Sequence, residues 1–233
     1  MNEAIILAGG LGTRLRAVVN DVPKCMAPVA GHPFLYYLLQ HLQKYGIRHV
    51  ILSLGYRHEV VTDWVKCLQG LRTEIDFSVE DSPLGTGGAI RKALTLVQGE
   101  DTLVLNGDTF FDVELNRFLI CHRQSGLPLS LALKPMEKFE RYGNVSLGAN
   151  GIIEAFHEKR YCDRGYINGG VYIINKHEKL FRGCPEKFSF ETDILQQKVH
   201  KGCLKGFVSD GYFIDIGIPE DYERANRDFA DWK

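Results

Sequence analysis

"AIILAGGLGTRLRAVVNDVPKCMAP", residues 4–28, decides how the rest of the chain is read. Residues 4–8 are apolar and run straight into Gly9, Gly10 and Gly12. A short apolar run that ends in glycines predicts a buried strand feeding a loop. Behind the loop stand Thr13, Arg14 and Arg16, then Lys24. Glycine lets the backbone approach a ligand closely and turn its N–H groups toward an anion. Arginine makes forked bonds to phosphate oxygens, and lysine supplies a compact point charge. The combination predicts a site for a triphosphate. Two better-known glycine loops do not fit. The dinucleotide fingerprint needs a third glycine that Gly10-Leu11-Gly12-Thr13-Arg14-Leu15 lacks. A P-loop needs Lys-Ser or Lys-Thr after its glycine, and Thr13-Arg14 follows here.

Working outward, the strand is the first of an alternating series. Residues 34–45 carry apolar positions at helical spacing and stop at Gly46. HVILSLG (49–55) predicts a strand, 58–69 a helix ending at Gly70, and EIDFSV (74–79) another strand. GGAIRKALTLV (87–97) predicts a helix entered through glycines, and DTLVLNGD (101–108) a strand ending in a polar turn. Alternating β and α elements favour parallel strands with helices on both faces, and ligands bind beyond the carboxyl ends of such strands. Three strand ends carry unusual chemistry: AGGLGTR, SPLGTGG and NGD.

The second half is less regular. Strands are expected at 127–135, 144–148, 151–159, 169–176 and 211–217. Helices are expected over FSFETDILQQKV (188–199) and over 219–232, with Pro219 in the opening turn. No linker, repeat or composition break appears, so one domain is expected. Its nucleotide-binding half spans about 1–110, and a mixed half, about 111–233, covers one end of the sheet.

Composition narrows the function. Of 233 residues, 45 % are apolar and 24 % charged, as in a globular protein. A formal net charge of −1 gives no bulk attraction to nucleic acid or a membrane surface, so any anion site depends on local cations. No apolar run approaches the ~18 residues of a membrane span. The start carries Glu3 where a signal peptide has basic residues, so a cytoplasmic protein is expected. The six cysteines are scattered without CxxC spacing, which predicts reduced thiols in or near the core. Tyr36, Tyr37, Phe110 and Phe111 are expected to be packing residues.

Two aspartates end predicted strands, Asp108 and Asp215. Strands of one sheet can bring them to one crevice, and Mg²⁺ takes one or two carboxylates with waters and substrate phosphates. In PLGTGGA (83–89) a glycine turn enters a helix, where a flat base can slide against backbone and a helix N-terminus favours an anion. Glu80 and Asp81 precede it, and a carboxylate there can accept from guanine N1–H and N2–H₂.

Taken together these segments resemble the sugar-1-phosphate nucleotidyltransferase family. GGxGTRL followed by PK is its signature, and PLGTGGA, NGD (106–108), YG (142–143), EK (158–159), NGGVY (168–172) and DIGIPEDY (215–222) follow in order. GTRLRAVVNDVPK, ALKPMEKFERYGNV, FSFE and DGYFIDIGIPEDY are similar to the D-glycero-α-D-manno-heptose 1-phosphate guanylyltransferase branch. Mannose- and glucose-1-phosphate enzymes often have proline where this chain has Ala17, and the branch usually reads PKPMAP where this chain has Cys25.

The resemblance implies the nucleotide-diphospho-sugar transferase fold, a Rossmann-like, mostly parallel sheet with a mixed β sugar-binding half. It implies nucleotidyl transfer from a nucleoside triphosphate to a sugar 1-phosphate, with GTP and the heptose phosphate as the pair. It implies Mg²⁺ on Asp108 and Asp215, with Arg14 and Lys24 as catalytic cations beside Asp108. The nucleotide would contact Leu7, Ala8, Gly9, Gly10, Gly12, Thr13, Glu80, Pro83, Gly85, Thr86 and Gly87. The sugar phosphate would contact Asn106, Gly107, Gly143, Glu158, Lys159, Asn168 and Gly169. Other triphosphates with hexose or amino-sugar phosphates, a catalytically silent nucleotide-sugar binder and a nicotinamide dehydrogenase are the competing readings.

Overall fold

Most of the apolar runs join one large mixed sheet. A computed structural model describes residues 1–10, 22–176 and 180–232. In chain order, β1 (Glu3–Leu7) comes first, then a 3₁₀ turn at Lys24–Met26. A small ribbon of β2 (Pro28–Val29) and β3 (His32–Pro33) leads into α1 (Phe34–Lys44). Then come β4 (His49–Leu54), α2 (His58–Cys67), β5 (Glu74–Val79), α3 (Gly85–Ala93) and β6 (Asp101–Asn106). Next are β7 (Thr109–Phe111), α4 (Leu115–Ser125), β8 (Leu129–Phe139), β9 (Gly143–Leu147), β10 (Ile153–Lys159) and β11 (Cys162–Asn175). A π-helical stretch, Phe190–Leu195, continues as α5 (Gln196–Val199), followed by β12 (Leu204–Val208), β13 (Phe213–Asp215) and α6 (Pro219–Asp228).

β1 lies between β4 and β6, parallel to both, and β5 adds parallel to β4. The chain therefore builds outward from β1 through β4 to β5, then returns to β1's other edge with β6. That reversal opens a crevice at the carboxyl ends of β1 and β6. β11 then runs antiparallel to β6, and β8, β9, β10 and β12 join the same sheet. The mixed half thus continues the sheet, where the sequence suggested a cover over one end.

Alternation along the strands sorts side chains into two cores. Ala4, Ile6, Val50, Leu52, Leu103 and Leu105 face α1 and α6. Ile5, Ile51 and Val104 face α3 and the Phe188–Val199 region. Burial on both faces is why the parallel strands read as continuous apolar runs. α1 presents Phe34, Leu35, Leu38, Leu39 and Leu42 to its core, all 1 % exposed or less. Each such side chain stabilises by about 1.5–3 kcal/mol on burial. Phe110, Phe111 and Tyr37 are buried, and Tyr36 packs partly buried against them.

Several boundaries differ from the sequence reading: β8 runs on to Phe139, β11 begins at Cys162 ahead of the expected 169, and β13 is confined to Phe213–Asp215. α3 starts at Gly85 and gives way to a 3₁₀ turn at Leu94–Leu96. The 188–199 helix opens as a π-helix at Phe190, and its start is set by Ser189, which caps it by accepting from Thr192 N–H. α6 stops at Asp228. All six cysteines are free, but Cys67 is exposed rather than in the core.

Candidate active site

Backbone bonds tie the three chemically unusual strand ends together. Ala8 N–H donates to Ser53 O at 2.8 Å, Gly107 N–H to Leu7 O at 2.9 Å, and Glu80 N–H to Leu54 O at 2.8 Å. Leu7 lies in register with Asn106, so the glycine loop and the NGD turn leave the sheet side by side. Gly107 has to be glycine: a Cβ there would sit 2.6 Å from Leu7 O. Between these ends lies a cavity of about 620 Å³. Leu7, Ala8, Gly9, Gly10, Lys24, Glu80, Pro83, Gly85, Thr86, Asn106, Gly107 and Asp108 line it. Gly12, Thr13 and Arg14 lie outside the described residues.

Lys24 is the focus of the charge arrangement. Its Nζ donates to Asp108 Oδ2 at 2.6 Å and stands 3.7 Å from Asp215 Oδ1. The 3₁₀ turn delivers it, closed by Met26 N–H on Pro23 O and Ala27 N–H on Lys24 O. Asp215 arrives on the β13–β7 ribbon, opposite Thr109, with Ile216 N–H on Asp108 O. Burial, and then the Asp108 charge, pushes the Asp215 carboxyl above its usual range. Two carboxylates sharing one ammonium suit a further cation, and this pair is an open, oxygen-only donor set. Among the described residues no three histidine, cysteine or acidic side chains cluster as a closed metal site would require. Substrate oxygens and water would have to complete the shell, which fits Mg²⁺. Cys25 lines the cavity beside Lys24; burial, and then Asp108, pushes its thiol up to about 12, so it is no nucleophile at neutral pH.

The opposite wall is built differently from the sequence expectation. Glu80 Oε2 accepts from Leu84 N–H at 2.8 Å, which closes the turn before α3 and leaves Oε1 toward Gly9. Asp81 points into solvent and pairs with Lys92 at 3.5 Å. Two first-turn amides of α3 are already taken, because Gly87 and Gly88 both donate to Phe188 O. Gly87 is therefore behind the wall and not in the cavity lining. Gly85 has φ +71°, and a Cβ on it would lie 2.5 Å from Phe188 O. The Thr86 hydroxyl is engaged too, donating to Glu191 Oε2 at 2.6 Å.

The expected sugar-phosphate residues divide. Asn106 and Gly107 line the cavity, whereas Gly143, Glu158, Lys159, Asn168 and Gly169 do not. Gly143 pairs with Lys159 across β9 and β10, and Glu158 and Lys159 are exposed. Asn168 donates to Tyr172 Oη at 2.9 Å and accepts from Gly170 N–H at 3.0 Å. Gly169 packs on Phe111, and Gly170 abuts the Asn106 amide. Asn168 thus adjoins the cavity through Gly170 without opening onto it.

Sequence reasoning missed Ser53, Tyr56 and Glu191 in the lining. Ser53 interrupts an apolar strand at its end, which was a usable signal. Glu191 sits in FSFE, a segment noted for likeness alone. The lining holds Glu80, Asp108 and Glu191, with solvent-exposed Asp81 at its edge, against one described cation, Lys24. A polyanionic ligand needs more positive charge there than Lys24 alone carries.

A family model described as nucleotidyl transferase matches residues 3–231. D-glycero-alpha-D-manno-heptose 1-phosphate guanylyltransferase of Aneurinibacillus thermoaerophilus is 49 % identical over 97 % of each chain. The enzyme of the same name from Campylobacter jejuni is 44 % identical over 94 % of this chain and 96 % of its own. The crystal structure of HddC from Yersinia pseudotuberculosis complexed with GMP-PN superimposes with a TM-score of 0.88 at 39 % identity. It covers 98 % of this chain and 100 % of that one. Among the described residues, no helix is long and apolar enough to cross a membrane.

Proposed function

The chain belongs to the nucleotidyl transferase family, and on that premise we propose that it joins GTP and D-glycero-α-D-manno-heptose 1-phosphate into GDP-heptose, releasing pyrophosphate. One observation supports the reaction class most directly. Lys24 is held 2.6 Å from Asp108 and 3.7 Å from Asp215, at the carboxyl ends of β1 and β6. The choice of substrates follows the relatives named above.

In this reading a phosphate oxygen of the sugar 1-phosphate attacks the α-phosphorus of the triphosphate. The new P–O bond forms as the bond to pyrophosphate breaks. The attacking phosphate is largely dianionic near neutral pH, so no protein base has to remove a proton. No protein nucleophile takes part. Asp108 and Asp215 would hold Mg²⁺, which supplies Lewis-acid charge at the α-phosphate and a template for both reactants. Lys24 neutralises charge on the α-phosphate, and Arg14 does so on the leaving pyrophosphate. Leu7 to Gly10 and the Gly12–Thr13 segment bind the triphosphate through backbone groups. Glu80 accepts from the guanine edge, beside Pro83 and Gly85. Asn106 and Gly107 lie where the two substrates meet. Glu158, Lys159, Asn168, Gly169 and Gly143 contact the sugar phosphate, which requires the exposed end of β10 to turn onto it. The cytoplasm is the proposed location, since it supplies nucleoside triphosphates and keeps free thiols reduced.

The test crosses GTP, ATP, UTP, CTP and dTTP with heptose, mannose and glucose 1-phosphates and follows pyrophosphate. Release confined to GTP with the heptose phosphate is the expected result. Release with another pair replaces the substrates and keeps the reaction. Triphosphate binding without release from any pair would leave a silent nucleotide-sugar binder.

A further inference from the structure

Glu191 differs from the other carboxylates of the cavity. It comes from the second half of the chain, at the start of the π-helical stretch, and is half-buried on the cavity wall. Its Oε2 accepts from the Thr86 hydroxyl at 2.6 Å and from the Ser189 hydroxyl at 3.0 Å. Thr86 Oγ1 accepts in turn from Phe190 N–H at 2.8 Å. The clasp joins residues 105 positions apart and anchors one carboxylate oxygen. Oε1 has no hydrogen-bond partner among the described residues. A carboxylate oxygen only accepts, so a bound molecule that meets it has to present a donor.

Position selects the donor. Glu80 follows β5 and Asp108 follows β6, so the two leave the sheet on opposite flanks of β1 and β4. Glu191 reaches the same cavity from over α3. It bonds Thr86 on the α3 side, and on the other side its charge, with that of Asp108, raises the pKa of the Tyr172 phenol, whose first cause is burial. A nucleotide runs base, sugar, phosphate. With phosphorus at Lys24 and the base against Glu80, the middle of the cavity faces a sugar ring.

We propose that Glu191 Oε1 accepts a hydrogen bond from a hydroxyl of a substrate sugar ring, aimed by Thr86 and Ser189. The inference rests on the nucleotidyl-transfer reading. Two rings carry suitable hydroxyls: the ribose of the triphosphate and the pyranose of the sugar 1-phosphate.

Glu191→Gln isolates the free oxygen. The amide oxygen can still take both hydroxyl bonds of the clasp, which leaves the NH₂ toward the cavity, so acceptor becomes donor. GTP, 2′-deoxy-GTP and 3′-deoxy-GTP are titrated calorimetrically with Mg²⁺ into wild type and variant. The KM for heptose 1-phosphate and the melting temperature are measured alongside. A ribose contact predicts that wild type prefers GTP over one deoxy analogue by roughly 10–100-fold, the worth of a hydrogen bond to a charged group, and that the variant loses the preference. A pyranose contact predicts equal nucleotide binding and a similar rise in KM for the sugar phosphate. An unchanged nucleotide ratio with an unchanged KM overturns the proposal. So does an equal loss for GTP and both analogues, which marks a purely structural residue. Ser189→Ala, which keeps the carboxylate and loosens its aim, is expected to narrow the same ratio less, and decides the matter should Glu191→Gln fold poorly. If another ribonucleoside triphosphate is the substrate, the same comparison with its deoxy forms tests Glu191 although the guanylyl assignment has failed.

Discussion

Replacing Lys24 by alanine removes the described cation that faces the phosphorus under attack. The side chain is 12 % exposed, so bulk water does not replace its charge cheaply. Two unit charges ~4 Å apart interact by about 4 kcal/mol at an effective dielectric constant near 20. Removing a single oxyanion donor elsewhere costs about 2.7–4 kcal/mol, the same order. Lys24→Ala is therefore expected to lower kcat at least roughly a hundredfold. The assay is pyrophosphate release at saturating substrates, with melting temperature as the control for folding. A second readout separates charge neutralisation from metal binding. Lys24 occupies Asp108 and lies near Asp215, so its loss leaves both carboxylates to a metal ion. The Mg²⁺ concentration for half-maximal rate is expected to stay level or fall. A folded variant with kcat within about threefold of wild type would remove Lys24 from the chemistry, since the loss estimated above is far larger.

Glu80→Gln keeps the bond from Leu84 N–H through its amide oxygen but turns Oε1 into a donor. Preference for GTP over the other triphosphates is expected to fall about tenfold, and an unchanged kcat/KM ratio would remove Glu80 from base reading. Gly85→Ala places a Cβ against Phe188 O in a left-handed backbone, and roughly 2 kcal/mol or more of stability is expected to be lost, read from urea unfolding. An unmoved midpoint would contradict the crowding argument. His49 bonds Glu3 at 2.8 Å and Asp76 at 3.0 Å, at the other end of the strands from the site. Burial disfavours its charge, yet the two carboxylates outweigh this and hold its pKa above the ordinary 6.5. The folded state binds the proton more tightly than the unfolded chain, so this stabilisation is complete below pH 6.5 and is lost as pH rises through the raised pKa. Wild type is expected to lose melting temperature across that window relative to His49→Gln; parallel curves would dismiss the ion pair.

The parallel part of the sheet was legible because buried strands leave continuous apolar runs, as HVILSL does. α4 was not, since it buries only Leu115, Phe118 and His122 and shows little stripe. The first half of β11, CDRGYIN, is polar because it pairs with β8 and β9 rather than crossing the central core. β12 is short and carries Lys205 and Gly206, which obscure its alternation. In the site, Asp108 and Asp215 could be singled out as strand-end acids. Their meeting at Lys24, 84 positions from Asp108, depends on the β7–β13 ribbon, which no local spacing encodes. The α3 N-terminus is only partly legible for a related reason. Its amides looked free in PLGTGGA, but Phe188, a hundred residues on, takes two of them. Glu191 was invisible as a functional residue because its meaning lies in the Thr86 contact.

The central claim is transfer of a guanylyl group from GTP to heptose 1-phosphate. Incubating the protein with Mg²⁺, heptose 1-phosphate and GTP radiolabelled at the α-phosphorus tests it most directly. The account predicts label in a GDP-sugar that forms only when the sugar phosphate is present, with unlabelled pyrophosphate released in equal amount. Label remaining in GTP while UTP or dTTP forms the nucleotide sugar would contradict the guanylyl assignment. Label captured on the protein before sugar phosphate is added would contradict direct attack.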